Sequence, residues 1–193
     1  KELLIEAEKK EEKTKIENVK VKIKRILCNL LNISKEQIFF HEEDEVTAEI
    51  ESLFFKQIKE LKAGVPIQYI IHKQEFMKLN FYVEDGVLIP QPDTEILVEE
   101  AIKKVIEKEK IKILDLCTGT GCIGISLAYY LQKSQVTLSD ISEIAIKVAA
   151  KNSKKNQVEK RVNIVKSDLF KKIKEIDFDL IVSNPPYIQT RVI

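Results

Sequence analysis

From residue 111 onward, short apolar segments typical of strands alternate with longer segments typical of helices. The strands are predicted near residues 111–116, 135–139, 162–166 and 178–183. The intervening helices are predicted near residues 121–131 and 142–156, with a brief one near 169–173. Because parallel strands need a long crossover, usually helical, this alternation predicts a parallel sheet with right-handed connections.

A glycine-rich turn directly follows the first of these strands. Gly119, Gly121 and Gly124 have the spacing G-x-G-x-x-G, at the point where the strand ends and a helix begins. Glycine permits positive φ and lets a ligand approach the backbone closely. Nicotinamide, flavin and S-adenosylmethionine sites all use such a turn, so it predicts a cofactor site without choosing the cofactor.

Two acidic residues narrow the choice of cofactor. Asp140 ends the second predicted strand about twenty residues after the glycines, where a carboxylate can accept hydrogen bonds from a ribose diol. Asp115 precedes the glycines and would repel a pyrophosphate, whereas it suits the ammonium group of a methionine moiety. The pair favours an adenosine cofactor with a methionine part over a dinucleotide. The structural alternative is a tight turn beside a surface aspartate.

The fourth predicted strand ends in a stiff polar turn, Asn184-Pro185-Pro186-Tyr187. Two successive prolines restrict φ and bias Asn184 toward an extended conformation. At the carboxyl edge of a parallel sheet, Asn184 offers an acceptor and Tyr187 a flat ring for a planar group. The turn therefore predicts a receptor for a planar NH₂ group, and an ordinary proline-rich turn is the alternative.

The segment before residue 64 contains neither glycine nor proline and is predicted to be a small helical bundle. Ser34 and Gln37 form a capping-box pattern, and Thr47 is a second candidate cap. Residues 64–66, Gly-Val-Pro, end this region. A β-hairpin is then predicted around Asp85-Gly86, followed by a helix over residues 92–108.

Composition excludes several classes of protein. The chain has 193 residues, is 44% hydrophobic and 33% charged, and carries 32 basic against 31 acidic residues. This is typical of a globular protein, and the near-neutral charge argues against a nucleic-acid partner. No apolar run is long enough for a membrane span, and no signal peptide is evident. Three cysteines and two histidines predict neither disulfides nor a zinc site, so a cytoplasmic location is expected.

The stretch from about Gly64 to Tyr187 resembles the protein-glutamine methyltransferases that modify peptide chain release factors, the PrmC/HemK family. The helical start is similar to that family's N-terminal domain in length and placement. The segments that carry the resemblance are Gly64-Val-Pro-Ile-Gln-Tyr69, Gln74-Glu-Phe76, Val87-Leu-Ile-Pro-Gln-Pro-Asp-Thr-Glu95, Asp115-Leu-Cys-Thr-Gly-Thr-Gly121, Ser139-Asp-Ile-Ser142, Ser167-Asp-Leu-Phe170 and Asn184-Pro-Pro-Tyr187.

The resemblance implies a Rossmann-like, class I S-adenosylmethionine methyltransferase sheet. It divides the chain into a helical docking domain over 1–66, a β-hairpin linker over 67–91 and a partial methyltransferase domain over 92–193. The family's sheet has seven strands, and this chain stops after the fourth. Since its only methionine is Met77, trimming or truncation is expected at both ends.

The resemblance also assigns roles. The Gly-Gly-Gln loop of a release factor would enter the cleft, where its glutamine amide nitrogen attacks the methyl group of S-adenosylmethionine. Asn184, Pro185 and Tyr187 would be catalytic, and residues 184–187 would hold the glutamine. Asp140 would bind the ribose. The full set of implied cofactor-binding residues is Asp115, Cys117, Thr118, Gly119, Thr120, Gly121, Asp140, Asp168, Leu169 and Asn184.

The chain departs from the family pattern at four positions. Gln91 stands where arginine is usual, and His72 and Lys78 stand where glycine is usual. Cys117 replaces a common glycine in the loop, which is a milder change. If the positions of His72 and Lys78 need positive φ, each side chain costs about 1 kcal/mol or more. Two other functions stay open: another amino-group methyltransferase, acting on ribosomal protein or adenine, and an inactive truncated binding module. A monomer with no membrane partner is expected.

Overall fold

The computed structural model describes residues 1–11, 18–41 and 43–186, with side chains described outside residues 8–11. The chain forms two compact units, 1–72 and 73–193. No helix within the described residues is both long and apolar enough to cross a membrane.

The first unit is helical, as the sequence predicts. It contains α1 (Glu2–Glu11), α2 (Val19–Leu31), a 3₁₀ helix (Gln37–His41), α3 (Ala48–Lys62) and the single turn α4 (Ile67–Ile70). The apolar face of α2 packs with α3 and α4 around a core that includes Ile23, Ile26, Phe54, Ile58 and Ile70.

The predicted helix boundaries of this unit are confirmed by their capping bonds. Ser34 and Gln37 exchange two hydrogen bonds, backbone to side chain, of 2.8 and 3.2 Å. Thr47 Oγ1 accepts from the Ile50 backbone N–H at the start of α3. Gly64 ends α3 with a φ of 87°, and the Val65 N–H donates to the Glu60 carbonyl. This is the glycine-terminated helix end that the sequence indicates.

The β-hairpin of the second unit lies earlier than predicted. Strands β1 (Gln74–Phe76) and β2 (Leu79–Phe81) pair antiparallel, and the chain reverses at Met77-Lys78. Both residues have positive φ, 49° and 57°, as a two-residue hairpin turn of the primed type requires. The prediction of a hairpin around Asp85-Gly86 is therefore wrong. A turn forms there, but Val87 then packs against Ala145 and Val148 instead of forming a strand.

A four-stranded parallel sheet follows helix α5 (Asp93–Val105). Its strands are β3 (Ile111–Leu116), β4 (Ser134–Asp140), β5 (Val162–Lys166) and β6 (Leu180–Ser183), in the order β5-β4-β3-β6. Helix α6 (Cys122–Tyr130) joins β3 to β4, and α7 (Glu143–Lys155) joins β4 to β5. The alternation predicted from residue 111 onward is confirmed as a Rossmann-like α/β fold.

The brief helix predicted near residues 169–173 does not form. Leu169 has a φ of 48°, which a right-handed helix excludes. Ser167 Oγ donates to the Leu169 carbonyl and accepts from the Lys172 N–H, so the side chain of Ser167 organises a series of turns. Competition from a serine hydroxyl is a common reason for a short helical pattern to become a turn.

The strand order reverses at β3, which lies between β4 and β6. In open parallel sheets, ligands bind beyond the carboxyl ends of the strands at such a reversal. The glycine turn follows β3, Asp140 is the last residue of β4, and Asn184 follows β6. The topology therefore brings three sequence-predicted elements to one edge of the sheet.

Candidate functional site

The turn after β3, residues 117–121, folds back over the ends of β3 and β4. Cys117, Gly119 and Gly121 have φ values of 57°, 54° and 81°. The Thr118 N–H donates to the Ser139 carbonyl at the end of β4, and the Gly121 N–H donates to the Thr118 carbonyl. These bonds fix the turn before any ligand binds.

Gly119 in this turn and Gly124 in the following helix α6 serve different purposes. A Cβ added to Gly119 would meet no atom within 4 Å, so this position faces open space. A Cβ added to Gly124 would lie 2.2 Å from Leu138 Cδ2 and 3.0 Å from Asp115 Oδ2. Gly124 therefore lets α6 approach the sheet closely, whereas Gly119 leaves room beside the backbone.

Asp140 orients the turn from the end of β4. Its Oδ2 accepts from the Gly119 N–H at 2.9 Å, and its Oδ1 accepts from the Ser142 N–H at 2.9 Å. Asp140 remains half-exposed, and each carboxylate oxygen has a further lone pair. It can therefore hold the turn and still accept hydrogen bonds from a ligand.

Asp115 is completely buried beneath the turn. Its Oδ2 accepts from Thr118 Oγ1 at 2.6 Å and from the Gly124 N–H at 2.9 Å, while its Oδ1 has no partner. Burial raises the pKa of Asp115 to about 7, against the lowering effect of those two hydrogen bonds. A buried, unpartnered carboxylate oxygen is costly, and a cationic group at the turn would reduce that cost.

The other residues predicted to bind the cofactor fall into two groups. Thr118, Thr120 and Gly121 are buried within the turn, and Cys117 is half-buried with its thiol pKa raised by burial and by nearby Asp140. Asp168 and Leu169 are exposed beyond the end of β5. The Ser167 N–H donates to the Asp140 carbonyl, which joins that segment to the end of β4.

Asn184 lies at the end of β6 and is half-buried. Its Nδ2 donates to Thr94 Oγ1 at 3.3 Å, so the first turn of α5 orients the Asn184 amide. No described residue donates to Asn184 Oδ1. Pro185 and Pro186 are exposed after it, and Tyr187 lies outside the described residues.

Sequence reasoning missed three residues that hold the parts of this site together. Asn152 of α7 is fully buried: its Oδ1 accepts from the Tyr82 N–H, and its Nδ2 donates to the Tyr82 and Thr120 carbonyls. Glu95 accepts from the Met77 N–H at 2.6 Å, and Tyr130 donates to the Met77 carbonyl at 2.7 Å. These bonds fix the hairpin turn. Of these three residues, only Glu95 was indicated by the sequence, because it ends the segment 87–95 that carries the family resemblance.

Family comparison agrees with this geometry. Residues 91–192 match the model of the methyltransferase small domain, and residues 2–71 match the PrmC N-terminal domain. The fold and the site thus define a protein of the methyltransferase small-domain class.

Individual relatives identify the family within that class. The chain is 46% identical over 163 residues to the release factor glutamine methyltransferase of Borreliella burgdorferi, covering 84% of this chain and 56% of that protein. It is 38% identical to the enzyme of that name from Clostridium botulinum, covering 100% of this chain and 69% of that protein. The chain belongs to the release factor glutamine methyltransferase family, and it spans little more than half the length of several of its relatives.

A solved structure supports the fold independently. The SAM-dependent methyltransferase from Agrobacterium tumefaciens matches with a TM-score of 0.52 at 21% identity, covering 59% of this chain and 39% of that chain. At this identity the match supports the Rossmann-like fold alone.

Proposed function

We propose that the chain carries the cofactor site of an S-adenosylmethionine-dependent methyltransferase. In this proposal, the substrate is the side-chain amide nitrogen of the glutamine in the Gly-Gly-Gln loop of a peptide chain release factor. The observation that carries the proposal is the meeting of the glycine turn, Asp140 and Asn184 at one sheet edge, in a chain 46% identical to a relative of that name. The alternatives of another amino-group methyltransferase and an inactive binding module have no comparable support.

The residues at the edge fit S-adenosylmethionine. Gly119 faces open space, Asp140 retains acceptor capacity for the ribose hydroxyls, and Asp115 Oδ1 is a buried carboxylate oxygen without a partner. The turn 117–121 would hold the methionine part, and Asp168 and Leu169 would border the adenine. When bound, the cofactor supplies a methyl group on a positively charged sulfonium.

Asn184 is suited to orient a planar NH₂ group. Its Nδ2 is held by Thr94 Oγ1, which leaves Oδ1 to accept a hydrogen bond. The Pro185 carbonyl is a second acceptor, and Tyr187 would stack on the planar amide of the substrate. Two acceptors that hold the two NH₂ hydrogens set the direction of the nitrogen lone pair.

Positioning is the main contribution expected of these residues. An amide nitrogen is a poor nucleophile because its lone pair is delocalised into the carbonyl group. Holding reacting groups in a productive geometry contributes up to ~7–11 kcal/mol in favourable cases. No strong general base is required for this step.

The helical unit is proposed to dock the protein substrate. Phe39 and Phe40 lie on the 3₁₀ helix, and 65% and 84% of their surfaces are exposed. Adjacent exposed aromatic rings are typical of protein interaction surfaces. A monomer in the cytoplasm is the proposed form of the protein.

Calorimetric titration of this chain with S-adenosylmethionine tests the proposal. We expect Asp140→Ala to abolish binding, because it removes both the bond to Gly119 and the ribose acceptor. Asp179→Ala, at the opposite end of β6, is the matched control and should bind normally. Normal binding by Asp140→Ala would contradict the assigned cofactor site.

The substrate site is tested separately by methyl transfer to a release factor. Asn184→Ala should reduce kcat by about 100-fold or more, since a small misplacement of reacting groups costs that much. Its S-adenosylmethionine affinity should change far less than its kcat. Losses of equal size in kcat and in S-adenosylmethionine affinity would assign Asn184 to cofactor binding alone.

A further inference from the structure

The second unit contains a cleft of about 540 Å³ that the proposed methyltransferase site does not use. It lies between the β1-β2 hairpin, the end of α6, the end of α7 and the segment before β5. Its charged and polar lining includes Lys78, Tyr129, Gln132, Lys155, Asn156 and Arg161.

The charged side chains that line this cleft are all basic. Lys78, Lys155 and Arg161 line it, and none of its lining residues is acidic. Within the described parts of the chain, none of these three cations forms a salt bridge. Arg161 donates from Nη1 to the Leu131 carbonyl at 3.1 Å, which anchors the guanidinium while most of its N–H groups remain available.

Further lysines increase the positive potential. Partial desolvation lowers the pKa of Lys155, and the nearby charges of Lys73 and Lys151 lower it further. Lys151 is itself held over the Tyr82 ring, with Nζ 3.1 Å from the ring centre. Cations that line one cleft repel each other, and a bound anion relieves that repulsion.

The cleft is remote from the carboxyl edge of the sheet. The Arg161 carbonyl accepts from the Val136 N–H near the start of β4, and the Leu131 carbonyl accepts from the Ser134 N–H. Asp140 lies at the other end of the same strand, about 20 Å away at the usual rise of a strand. The cleft and the proposed cofactor site are therefore separate.

The lining groups match one ligand chemistry. Arginine and lysine together are the usual partners of phosphate oxygens. The side-chain amides of Gln132 and Asn156 add neutral donors and acceptors, and the Tyr129 ring is 41% exposed beside them. We propose that this cleft binds the phosphate group of a phosphorylated ligand, carried either on a free nucleotide or on an RNA strand.

The near-neutral charge of the whole chain does not oppose this proposal. The 32 basic and 31 acidic residues balance over the full sequence, whereas the cleft collects cations from three separate segments. Local potential, rather than net charge, decides whether a cleft attracts an anion.

NMR titration of the isotope-labelled chain tests the proposal with inorganic phosphate, adenosine monophosphate and a short oligouridine. We expect the backbone amide signals of Lys78, Gln132 and Arg161 to shift together. The double variant Lys78→Gln/Lys155→Gln should weaken binding by about tenfold or more, because two charge-assisted contacts are lost. Lys104→Gln, which removes a charge outside the cleft, is the control.

The three probes distinguish the source of the phosphate. Tighter binding of oligouridine with a steep salt dependence would support an RNA ligand. Saturable binding of phosphate or the nucleotide, with no gain from oligouridine, would support a small phosphorylated ligand. Failure of all three probes to shift the cleft signals at millimolar concentration would overturn the proposal, as would equal weakening by Lys104→Gln. S-adenosylmethionine affinity should stay unchanged in the double variant.

Discussion

Backbone conformation at single residues shows what the chain's departures from the family pattern cost. His72, Lys78 and Cys117 stand where glycine is usual, and their φ values are 50°, 57° and 57°. His72 and Lys78 therefore have the positive φ that makes a side chain costly there, and Cys117 has it as well. A left-handed conformation costs a residue other than glycine or asparagine roughly 1–2 kcal/mol.

Lys78→Gly is accordingly expected to stabilise the protein by about 1 kcal/mol, because glycine adopts the hairpin turn without that cost. Urea denaturation measures the change in the free energy of unfolding. Asn80→Gly in the adjacent strand β2 is the control and should destabilise, since no positive φ is required there. If both variants destabilise equally, backbone strain at Lys78 is not significant.

The buried carboxyl of Asp115 makes stability depend on pH. Folding raises its pKa from 3.8 to about 7, so the protonated form stabilises the folded state. This contribution is complete below pH 4 and is lost as the pH rises through 7. Asp115→Asn, which stays neutral, should therefore gain about 4 kcal/mol of stability relative to the natural protein as the pH rises from 4 to above 7.

Denaturation at several pH values measures that difference. Asp179 provides the control, because its ion pair with Lys108 and its bond to the Lys112 N–H lower its pKa. Asp179→Asn should show the opposite dependence, losing stability relative to the natural protein as the pH rises through the acid range. If the stability difference between Asp115→Asn and the natural protein does not change with pH, folding does not shift the pKa of this carboxyl.

At the scale of elements, hydrogen bonds from helices determine where the hairpin segment and the glycine turn lie. Glu95 of α5 and Tyr130 of α6 bind the backbone of Met77. Asn152 of α7 binds the backbone of both Tyr82 and Thr120. A single buried side chain thus connects the chain after β2 with the turn after β3.

Asn152→Ala should destabilise the protein by about 2–3 kcal/mol, since it removes three hydrogen bonds between a buried side chain and the backbone. It should also weaken S-adenosylmethionine binding, because the Thr120 carbonyl loses its fixed donor. Asn156→Ala, one helical turn later, is the matched control; Asn156 donates to the Asn80 carbonyl at a longer 3.3 Å. Comparable losses in the two variants would contradict a special role for Asn152.

At the scale of the whole molecule, the two units carry separate proposed roles. The residues proposed to bind the cofactor all lie in the second unit, whereas the first unit presents Phe39 and Phe40. Lys24 Nζ lies 4.0 Å from the centre of the Phe39 ring, and Phe40 has no such neighbour among the described residues. Phe40 is therefore the better probe of docking.

Phe40→Ser should raise KM for a release factor roughly tenfold, which corresponds to the loss of about one buried apolar side chain at an interface. Its affinity for S-adenosylmethionine should not change. Val21→Ser, at a position 57% exposed on α2 of the same unit, is the control and should leave KM unaltered. An unchanged KM for Phe40→Ser would remove Phe40 from the docking surface.

The local sequence predicted the elements whose signals lie within a few residues. The capping pairs, the glycine end of α3 and the bounds of β3 and β5 follow from propensity, periodicity and short-range hydrogen bonds. The alternation of predicted strands and helices also implied that the ends of β3, β4 and β6 lie at one edge of the sheet, because the carboxyl ends of parallel strands lie on the same side.

Tertiary contacts decided the rest, because they join residues that no local pattern connects. The hairpin reverses at Met77-Lys78 because distant side chains on α5 and α6 hold that turn, although Asp85-Gly86 has the stronger local signal. Asp115 becomes a buried support of the turn because α6 closes over it. The cationic cleft exists only where four separate segments meet, so its charge was invisible in a sequence that balances overall.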